Sequence, residues 1–343
     1  MFPNGFGMNG YWGPENYVLG AALFDWHKDF DDLPEEVKEY YKAHGYSVIA
    51  FTDHEILLDH SDLCDEDFIA LNGYELSVNA PGPDDRSKAL TAHICFVAKK
   101  QDNLRQICTS ERDIWGNARG FIPQADIVQP DYRREYSHEG VSSLMKAGRD
   151  NGFFVTYNHP TWSLESYPEY SGYDGMHAME IYNTGCAMDG YDEYNCHCYE
   201  DLLRQGKKIF CIAADDNHTW GEGDRGKPGC DCCGGWVSIF AERLEYNAIT
   251  KALEEGRFYC STGPEIKSFR VEDGFVYVTT SPAHRISLIT GRRRTEKVNA
   301  EYGHGATEAK FRIDPNDIYF RIDVLDDHGN HANTNAIFTE DIF

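Results

Sequence analysis

Histidine and carboxylate side chains follow several short apolar runs of this 343-residue chain, at the point where each run ends. Six such residues share this placement: Asp53, His54, Glu75, His159, Asp216 and His218. His93 differs, because it stands at the start of its run. If the runs are parallel strands of a barrel, their carboxyl ends open onto one rim, and side chains spread over about 160 positions converge on one pocket.

Imidazole nitrogens and carboxylate oxygens together are the ligand set of zinc, manganese and iron ions, whereas magnesium alone favours oxygen. A carboxylate such as Glu75 could bridge two ions about 3.5–4 Å apart, a spacing that clamps the attacking and leaving oxygens of a phosphate ester. A single Thr-Asp-His would be weak evidence, since short motifs recur by chance. Agreement among several run ends predicts a metal centre.

The elements that must position these residues alternate between apolar runs and polar, helix-like segments, which indicates repeated β-α units around a parallel sheet. The runs lie at 17–25, 46–52, 68–74, 93–98, 153–157, 178–183, 208–213 and 236–241. The clearest helix is predicted over 34–44, where Pro34 opens it, Glu35 and Glu36 face the positive end of its dipole, and Gly45 ends it. Seven or eight such repeats predict a barrel.

The sequence pattern changes after Gly256. Apolar and polar residues alternate over 269–280, 285–290, 309–313 and 318–325, with turn sequences between them. This pattern predicts a small antiparallel β domain. Segment 99–135 has little periodicity, and we interpret it as an irregular insertion or lid.

The chain is strongly acidic. Lysine plus arginine is 32 and aspartate plus glutamate is 57, so the formal charge is 32 − 57 = −25. Without a basic stripe, duplex nucleic acid and anionic membranes are poor partners. The eleven cysteines are an odd number, several of them in apolar runs, and we expect free thiols in a cytoplasmic protein. The oligomeric state stays open.

An ordered series of motifs resembles the PHP (polymerase and histidinol phosphatase) family over roughly residues 20–265. The motifs are Thr52-Asp53-His54, Gly73-Tyr74-Glu75-Leu76-Ser77, Ala92-His93-Ile94, Tyr157-Asn158-His159-Pro160 and Asp215-Asp216-Asn217-His218. The order of the series, more than any single motif, makes the resemblance specific.

The resemblance implies a distorted (β/α)7 barrel, which we place at 15–262, followed by the β domain at 263–343. It also implies two or three divalent ions (zinc, manganese or iron) and hydrolysis of a phosphate ester by metal-bound hydroxide. The implied ligands are Asp53, His54, Glu75, His93, His159, Asp216 and His218, with Glu75, His159 and Asp216 as catalytic residues. The acidity favours a small phosphorylated substrate such as a nucleotide, a sugar phosphate or a short oligonucleotide end.

The first strand departs from the family pattern, which ends Asp-Leu-His-x-His. This chain has Phe24-Asp25-Trp26-His27-Lys28-Asp29. Our preferred alignment places His27 and Asp29 on the two histidines, since aspartate can replace imidazole as a ligand. An ungapped alignment from Pro34 would place Ala22 and Phe24 there, and two ligands would be lost.

Two further groups of residues have side chains suited to binding. A phosphate needs a cation, and Arg134 is our candidate, beside Arg133, although the sequence slightly favours a solvated loop for that pair. The cysteine-rich segments 196–198 and 230–233 invite a zinc interpretation. Their C-x-C spacing departs from the usual C-x₂₋₄-C, so we interpret them as loop thiols.

Two alternatives to a phosphoesterase stay open. The same rim could polarise a carbonyl in a metal-dependent amidohydrolase, although no strand-end lysine offers the carbamylated bridge expected there. The altered first strand is also compatible with a metal- or ligand-binding module that has lost catalysis. Metal content separates this module from an enzyme.

Overall fold

The computed structural model describes residues 34–81, 90–129, 131–218, 230–301 and 304–343, and the backbone alone at 11–12 and 17–24. The strands are β1 (Tyr11–Trp12), β2 (Tyr17–Phe24), β3 (Val48–Phe51), β4 (Ile69–Asn79), β5 (Thr91–Ala98), β6 (Arg105–Gln106), β7 (Asp126–Ile127), β8 (Phe153–Asn158), β9 (Ala178–Asn183), β10 (Phe210–Ala214), β11 (Trp236–Phe240), β12 (Phe258–Ser261), β13 (Ile266–Glu272), β14 (Phe275–Ala283), β15 (Arg285–Thr290), β16 (Glu296–Asn299), β17 (Ala306–Arg312), β18 (Tyr319–Leu325), β19 (His331–Thr334) and β20 (Ile337–Phe338). The α-helices are α1 (Pro34–Ala43), α2 (His138–Asp150), α3 (Tyr167–Tyr170), α4 (Thr184–Met188), α5 (Cys196–Arg204) and α6 (Tyr246–Glu254).

The large sheet is a curled half-barrel in a mixed α/β fold. Its order is β10-β9-β8-β5-β4-β3-β2-β11-β12-β19-β18-β15-β16, with β20 on β18. The pairs β2–β3–β4 and β8–β9–β10 are parallel, as the β-α pattern predicted. Within the described strands, no ladder closes this sheet into a complete barrel.

Strand β5 reverses the expected direction, because it runs antiparallel to both β4 and β8. The sequence had predicted parallel units throughout. The link from β4 to β5 covers residues 80–90, and a parallel connection needs a longer crossover, usually through a helix. Strand β11 is likewise antiparallel to β2.

The predicted helix over 34–44 is present as α1. Glu35 and Glu36 lie in its first turn, and Val37 and Tyr41 are buried against the sheet. Gly45 follows with a φ of 89°, a left-handed conformation that glycine adopts without strain. None of the helices in the described ranges combines the length and apolar character needed to cross a bilayer.

The C-terminal part is antiparallel, as predicted. Strands β1, β13, β14 and β17 form a separate four-stranded sheet, and its buried side chains, among them Phe269, Val276 and Phe311, pack in a second core with Ile286 and Ile322 of the large sheet. The large sheet itself continues across residue 262, since β12 pairs with β19. The boundaries 15–262 and 263–343 therefore stay predictions.

A buried polar network, here called the seam network (Glu200, Tyr319, Arg321 and Asn333), joins α5 to the C-terminal strands. Arg321 donates from Nε to Glu200 Oε1 at 2.7 Å and from Nη1 to Asn333 Oδ1 at 2.6 Å. The Tyr319 hydroxyl donates to the second oxygen of Glu200. Each charged group of the network thus has a hydrogen-bonded partner.

Candidate metal centre

Glu75 on β4 is the centre of a buried cluster. Its Oε2 lies 3.1 Å from Nδ1 of His54, which follows β3, and 3.4 Å from Nδ1 of His93 on β5. Backbone pairing brings His54 beside Glu75, because the two residues form a parallel bridge. Ligand atoms of these three residues all lie within 4.8 Å of one another, so they could hold a metal ion.

The reversal of β5 explains how His93 reaches this cluster. In the β4–β5–β8 ladder, Ser77 pairs with His93 and His93 pairs with Asn158. Because β5 is antiparallel to its neighbours, its beginning lies at the edge where β8 ends. A histidine at the start of a run therefore joins residues at the ends of other runs.

His159 and Asp216 lie on the other side of Glu75. His159 Nε2 is 3.5 Å from Glu75 Oε1 and 3.8 Å from Asp216 Oδ2. Both residues have positive φ, 22° for His159 and 51° for Asp216. Such conformations are uncommon outside glycine and cluster at functional sites. The backbone is thus bent at the two places where loops carry these side chains to the rim.

His218 completes the group that the structure brings together. Its Nδ1 lies 3.7 Å from Asp216 Oδ1, and its ring centroid is 6.0 Å from that of His54. The His218 side chain is 34% exposed, whereas Glu75 is buried. His27 and Asp29, the two candidates on the first strand, lie outside the described residues.

Asp53 faces a partner that sequence reasoning missed. Its Oδ2 is 3.6 Å from Nε2 of His60, and both side chains are buried. The His60 ring stacks on Phe51 at 4.5 Å. His60 lies in the loop after β3 without any spacing that relates it to the motifs, so the sequence offered no signal for it.

Arg134 is engaged within the protein. Its guanidinium donates to Glu55 Oε1 at 2.7 Å, to Ser77 O at 2.9 Å, and to Cys108 O and Thr109 Oγ1, and its Nη2 forms an ion pair with Glu55 Oε2 at 2.7 Å. Four of the five N–H donors of the arginine are therefore used in hydrogen bonds within the protein. Its role as a phosphate ligand stays a prediction. In this structure Arg134 braces the β4 edge beside the cluster.

Amide and carboxylate side chains orient the cluster from behind, and sequence reasoning assigned them no role. Asn158 donates to Glu75 Oε1 at 2.7 Å. Glu180 on β9 accepts from the His159 amide at 2.9 Å and from Asn183 at 3.1 Å. The latter amide also donates to Asp216 Oδ2 at 3.1 Å. Such supporting contacts fix the direction of metal ligands.

Two tryptophans border the cluster. The Trp162 ring centroid is 5.2 Å from that of His93 and 5.1 Å from that of His159. Trp115, from the irregular segment 99–135, lies 5.7 Å from His54 and is 36% exposed. The segment predicted as an insertion or lid therefore contributes a ring at the cluster.

The charges of the cluster are strongly coupled. Burial disfavours the ionised form of Glu75, yet the surrounding histidines hold its pKa well below the usual value. Burial lowers the pKa of His93. Burial also opposes protonation of His159, but Glu75 and Asp216 outweigh it and raise its pKa to about 10. An ionised carboxylate among imidazoles is an environment suited to a cation.

Two buried atoms test whether these residues fit a metal ion. Glu75 Oε2 and His93 Nδ1 are shielded from solvent, and neither has a hydrogen-bond partner. Leaving buried polar atoms unsatisfied costs about 1–3 kcal/mol each, so native proteins rarely do so. An ion coordinated by both atoms removes that cost, and the donor set of two imidazoles and a carboxylate suits zinc, manganese or iron.

Comparison with known proteins gave structural likenesses alone: no family model matches the chain, and neither does any curated protein. A two-domain protein from Bacteroides vulgatus containing a predicted PHP-like metal-dependent phosphoesterase is 14% identical with a TM-score of 0.42, over 94% of this chain and 96% of that one. An amidohydrolase from Chromobacterium violaceum with bound sulfate and no metal is 13% identical with a TM-score of 0.35, over 61% and 93%. A protein from Bifidobacterium adolescentis described as a metal-dependent phosphoesterase is 12% identical with a TM-score of 0.35, over 62% and 92%. Likenesses at this level do not assign a family or an activity.

Proposed function

We propose that this chain is a metal-dependent phosphoesterase that hydrolyses a small phosphate ester. The observation that carries the proposal is the buried Glu75 carboxylate, which presents Oε2 to His54 and His93 and Oε1 to His159. A carboxylate with nitrogen donors on both of its oxygens is placed to bridge two ions. Ions bound there would polarise a phosphoryl oxygen and make water a stronger nucleophile at neutral pH.

The side chains of the centre divide the work of holding two ions. His54, Glu75 and His93 would hold one ion, while Glu75, His159 and Asp216 would hold the other. His218 extends from the Asp216 loop toward His54 and is the most exposed of the group, so it is accessible to a substrate or a third ion. Asn158 and Glu180 hold Glu75 and the His159 backbone in these orientations. Trp115 and Trp162 restrict water at the border.

The proposal includes the finer features that the sequence suggested. These are a distorted (β/α)7 barrel, ligation by His27, Asp29 and Asp53, and a cytoplasmic location. The net charge of −25 favours a nucleotide, a sugar phosphate or a short oligonucleotide end over a duplex, because a long polyanion would be repelled.

The test combines elemental analysis after dialysis with hydrolysis of p-nitrophenyl phosphate, with and without added Mn²⁺. We expect at least two metal ions per chain and Mn²⁺-stimulated release of p-nitrophenol. His159→Ala and Asp216→Asn should each lower metal content and rate by at least roughly tenfold, since ligand loss weakens metal binding. His138→Ala is the control, because the contacts described for His138 are with Pro168 O and the Tyr173 ring, outside the residues of the centre.

Several outcomes would contradict the proposal in different ways. Unchanged hydrolysis in both ligand variants would remove this centre as the site of reaction. Metal binding without any phosphate release, but with cleavage of a p-nitrophenyl ester or anilide of a carboxylic acid, would favour the amidohydrolase. One ion or none, with neither activity, would favour a binding module.

A further inference from the structure

A second group of potential ligands lies in the loop that leads into β11. Cys230, Asp231 and Cys232 are half-buried, and a sulfur or oxygen atom of each lies within 4.8 Å of the other two. None of the eleven cysteines, all of them in described residues, forms a disulfide. The C-x-C spacing favours ordinary loop thiols, but an irregular loop can direct three consecutive side chains to one point, whereas a strand turns neighbouring side chains to opposite faces.

The other C-x-C segment shows the difference. Cys196 and Cys198 stand at the start of α5, where residues two apart point to different sides of the helix. His197 between them is 86% exposed. In the described chain, these residues do not form a ligand group of the kind found at 230–232. The same C-x-C spacing can therefore bind a metal ion at 230–232 but not at 196–198.

The loop at 230–235 is held in shape by backbone hydrogen bonds and by Asn217, which donates to Cys232 Sγ at 2.7 Å. The backbone N–H groups of Cys233, Gly234 and Gly235 all donate to the buried Asp215 carboxylate, at 2.6, 2.9 and 2.9 Å. Tyr41 on α1 donates to the same carboxylate at 2.8 Å. This framework fixes the backbone that follows the ligand group, and a preorganised site binds an ion with less ordering cost.

Asp231 connects the loop to the metal centre described above. Its Oδ1 accepts from Asn217 Nδ2 at 2.5 Å, and its Oδ2 accepts from the His218 amide at 2.7 Å. A ligand that fixes the Asp231 side chain would therefore also fix the His218 backbone, through this hydrogen bond.

We propose that Cys230, Asp231 and Cys232 bind a zinc ion, separate from the ions at Glu75. Two thiolates select a soft or borderline ion, and zinc accepts sulfur and carboxylate oxygen in one tetrahedral set. The ion fixes Asp231 and, through it, the His218 loop. Its role is therefore to brace the metal centre, with catalysis left to the residues around Glu75.

Cobalt substitution separates the two sites. Metal-free protein, kept reduced and titrated with Co²⁺, should develop a sulfur-to-cobalt charge-transfer band in the near ultraviolet, which ligation by histidine and carboxylate does not produce. Cys232→Ser should abolish this band and about one equivalent of bound zinc. The matched control Cys198→Ser should keep both. Glu75→Gln should keep the band even if it removes all phosphoesterase activity, so the two proposals can fail independently.

A measurement on the unaltered chain covers the case in which Cys232→Ser does not fold. Zinc should protect Cys230 and Cys232 from iodoacetamide, with Cys64, another half-buried thiol, as the internal reference in peptide mass mapping. Protection confined to residues 230–232 supports the site. Absence of both the band and the protection, in protein that still binds metal at Glu75, would overturn it.

Discussion

Two buried polar clusters in this molecule differ in how completely their atoms are paired. In the seam network, Arg321 and Glu200 bond each other, Tyr319 and Arg204 also donate to Glu200, and Asn333 accepts from Arg321. At the metal centre, Glu75 Oε2 and His93 Nδ1 are equally buried but have no hydrogen-bond partner. The first arrangement is complete as a piece of protein, and the second becomes complete with a cation.

This difference distinguishes buried charges that stabilise the fold from buried charges that bind a ligand. A buried ion pair that satisfies itself holds elements together, and removing one partner leaves an isolated charge. A cluster of ligands with unsatisfied atoms destabilises the metal-free protein and stabilises the complex. Changes at the two clusters should therefore affect different quantities.

The largest expected effect is on the seam. Arg321→Met should lower the free energy of unfolding by about 3–5 kcal/mol, because Glu200 loses its buried cation and keeps only Arg204, whose side chain is 45% exposed. Urea unfolding of the metal-free chain measures this, and metal content should stay unchanged. Lys146→Met is the control, since the Lys146–Asp150 pair is exposed and should contribute only about 0–1 kcal/mol. Equal losses in the two variants would show that the seam network has no special role.

The next effect is at the centre and concerns binding. Glu75→Gln should weaken metal binding at least roughly 100-fold, since it removes the shared ligand, and should change the stability of the metal-free chain by less than about 1 kcal/mol. Metal titration and urea unfolding give the two numbers. Glu200→Gln should show the reverse, with normal metal affinity and reduced stability. If Glu75→Gln and Glu200→Gln change metal affinity and stability by the same amounts, the proposed difference between the two clusters is wrong.

A smaller effect is expected from the amide behind Glu75. Asn158→Ser removes the hydrogen bond to Glu75 Oε1 and should weaken metal binding about tenfold, the lower end for a residue that orients a ligand. The control is Asn103→Ser, which alters an exposed amide bonded to Asn151 O. Equal affinities in the two variants would mean that Glu75 does not need this support.

The smallest expected effect is on the pH dependence of stability and concerns Asp323, which lies beside Arg321 of the seam network. Burial opposes ionisation of Asp323, but His331 at 2.7 Å and Arg321 outweigh it, so the pKa of Asp323 lies below its usual value. A carboxylate with a lowered pKa contributes stability above its unfolded pKa of about 3.9, and this is lost as the pH falls through the folded value. Unfolding free energy should therefore drop below about pH 4 more steeply in the wild type than in Asp323→Asn. Asp327→Asn, at an exposed site, should follow the wild type.

Much of the fold was readable from periodicity. The helix α1, the two parallel blocks of the large sheet and the antiparallel C-terminal strands all appear where patterns of apolar residues indicated. The direction of β5 was not readable, because an apolar run has the same pattern in either direction. What decides it is the short link 80–90, whose effect depends on which strands become neighbours.

The candidate site shows the same division. Because Glu75, His159, Asp216 and His218 all follow apolar runs, the sequence predicts that they lie together. The structure places these residues close to one another. The pairing of Arg134 with Glu55 was not predictable, because Glu55 lies 79 residues earlier and no local pattern indicates that contact. His60 and Asn158 were missed for a related reason. Their roles come from contacts across the fold and leave no periodic trace.

The reversed strand β5 also affects how the chain reaches its native state. Side chains of a strand alternate between its two faces, so a one-residue slip of β5 against β4 would turn His93 away from Glu75. The same slip would break the pairing of His93 with Asn158 on β8. An ion bound by Glu75 and His93 would therefore stabilise one register of the β4–β5 hairpin over the others. Metal binding would then select the native strand alignment during folding, before any substrate binds.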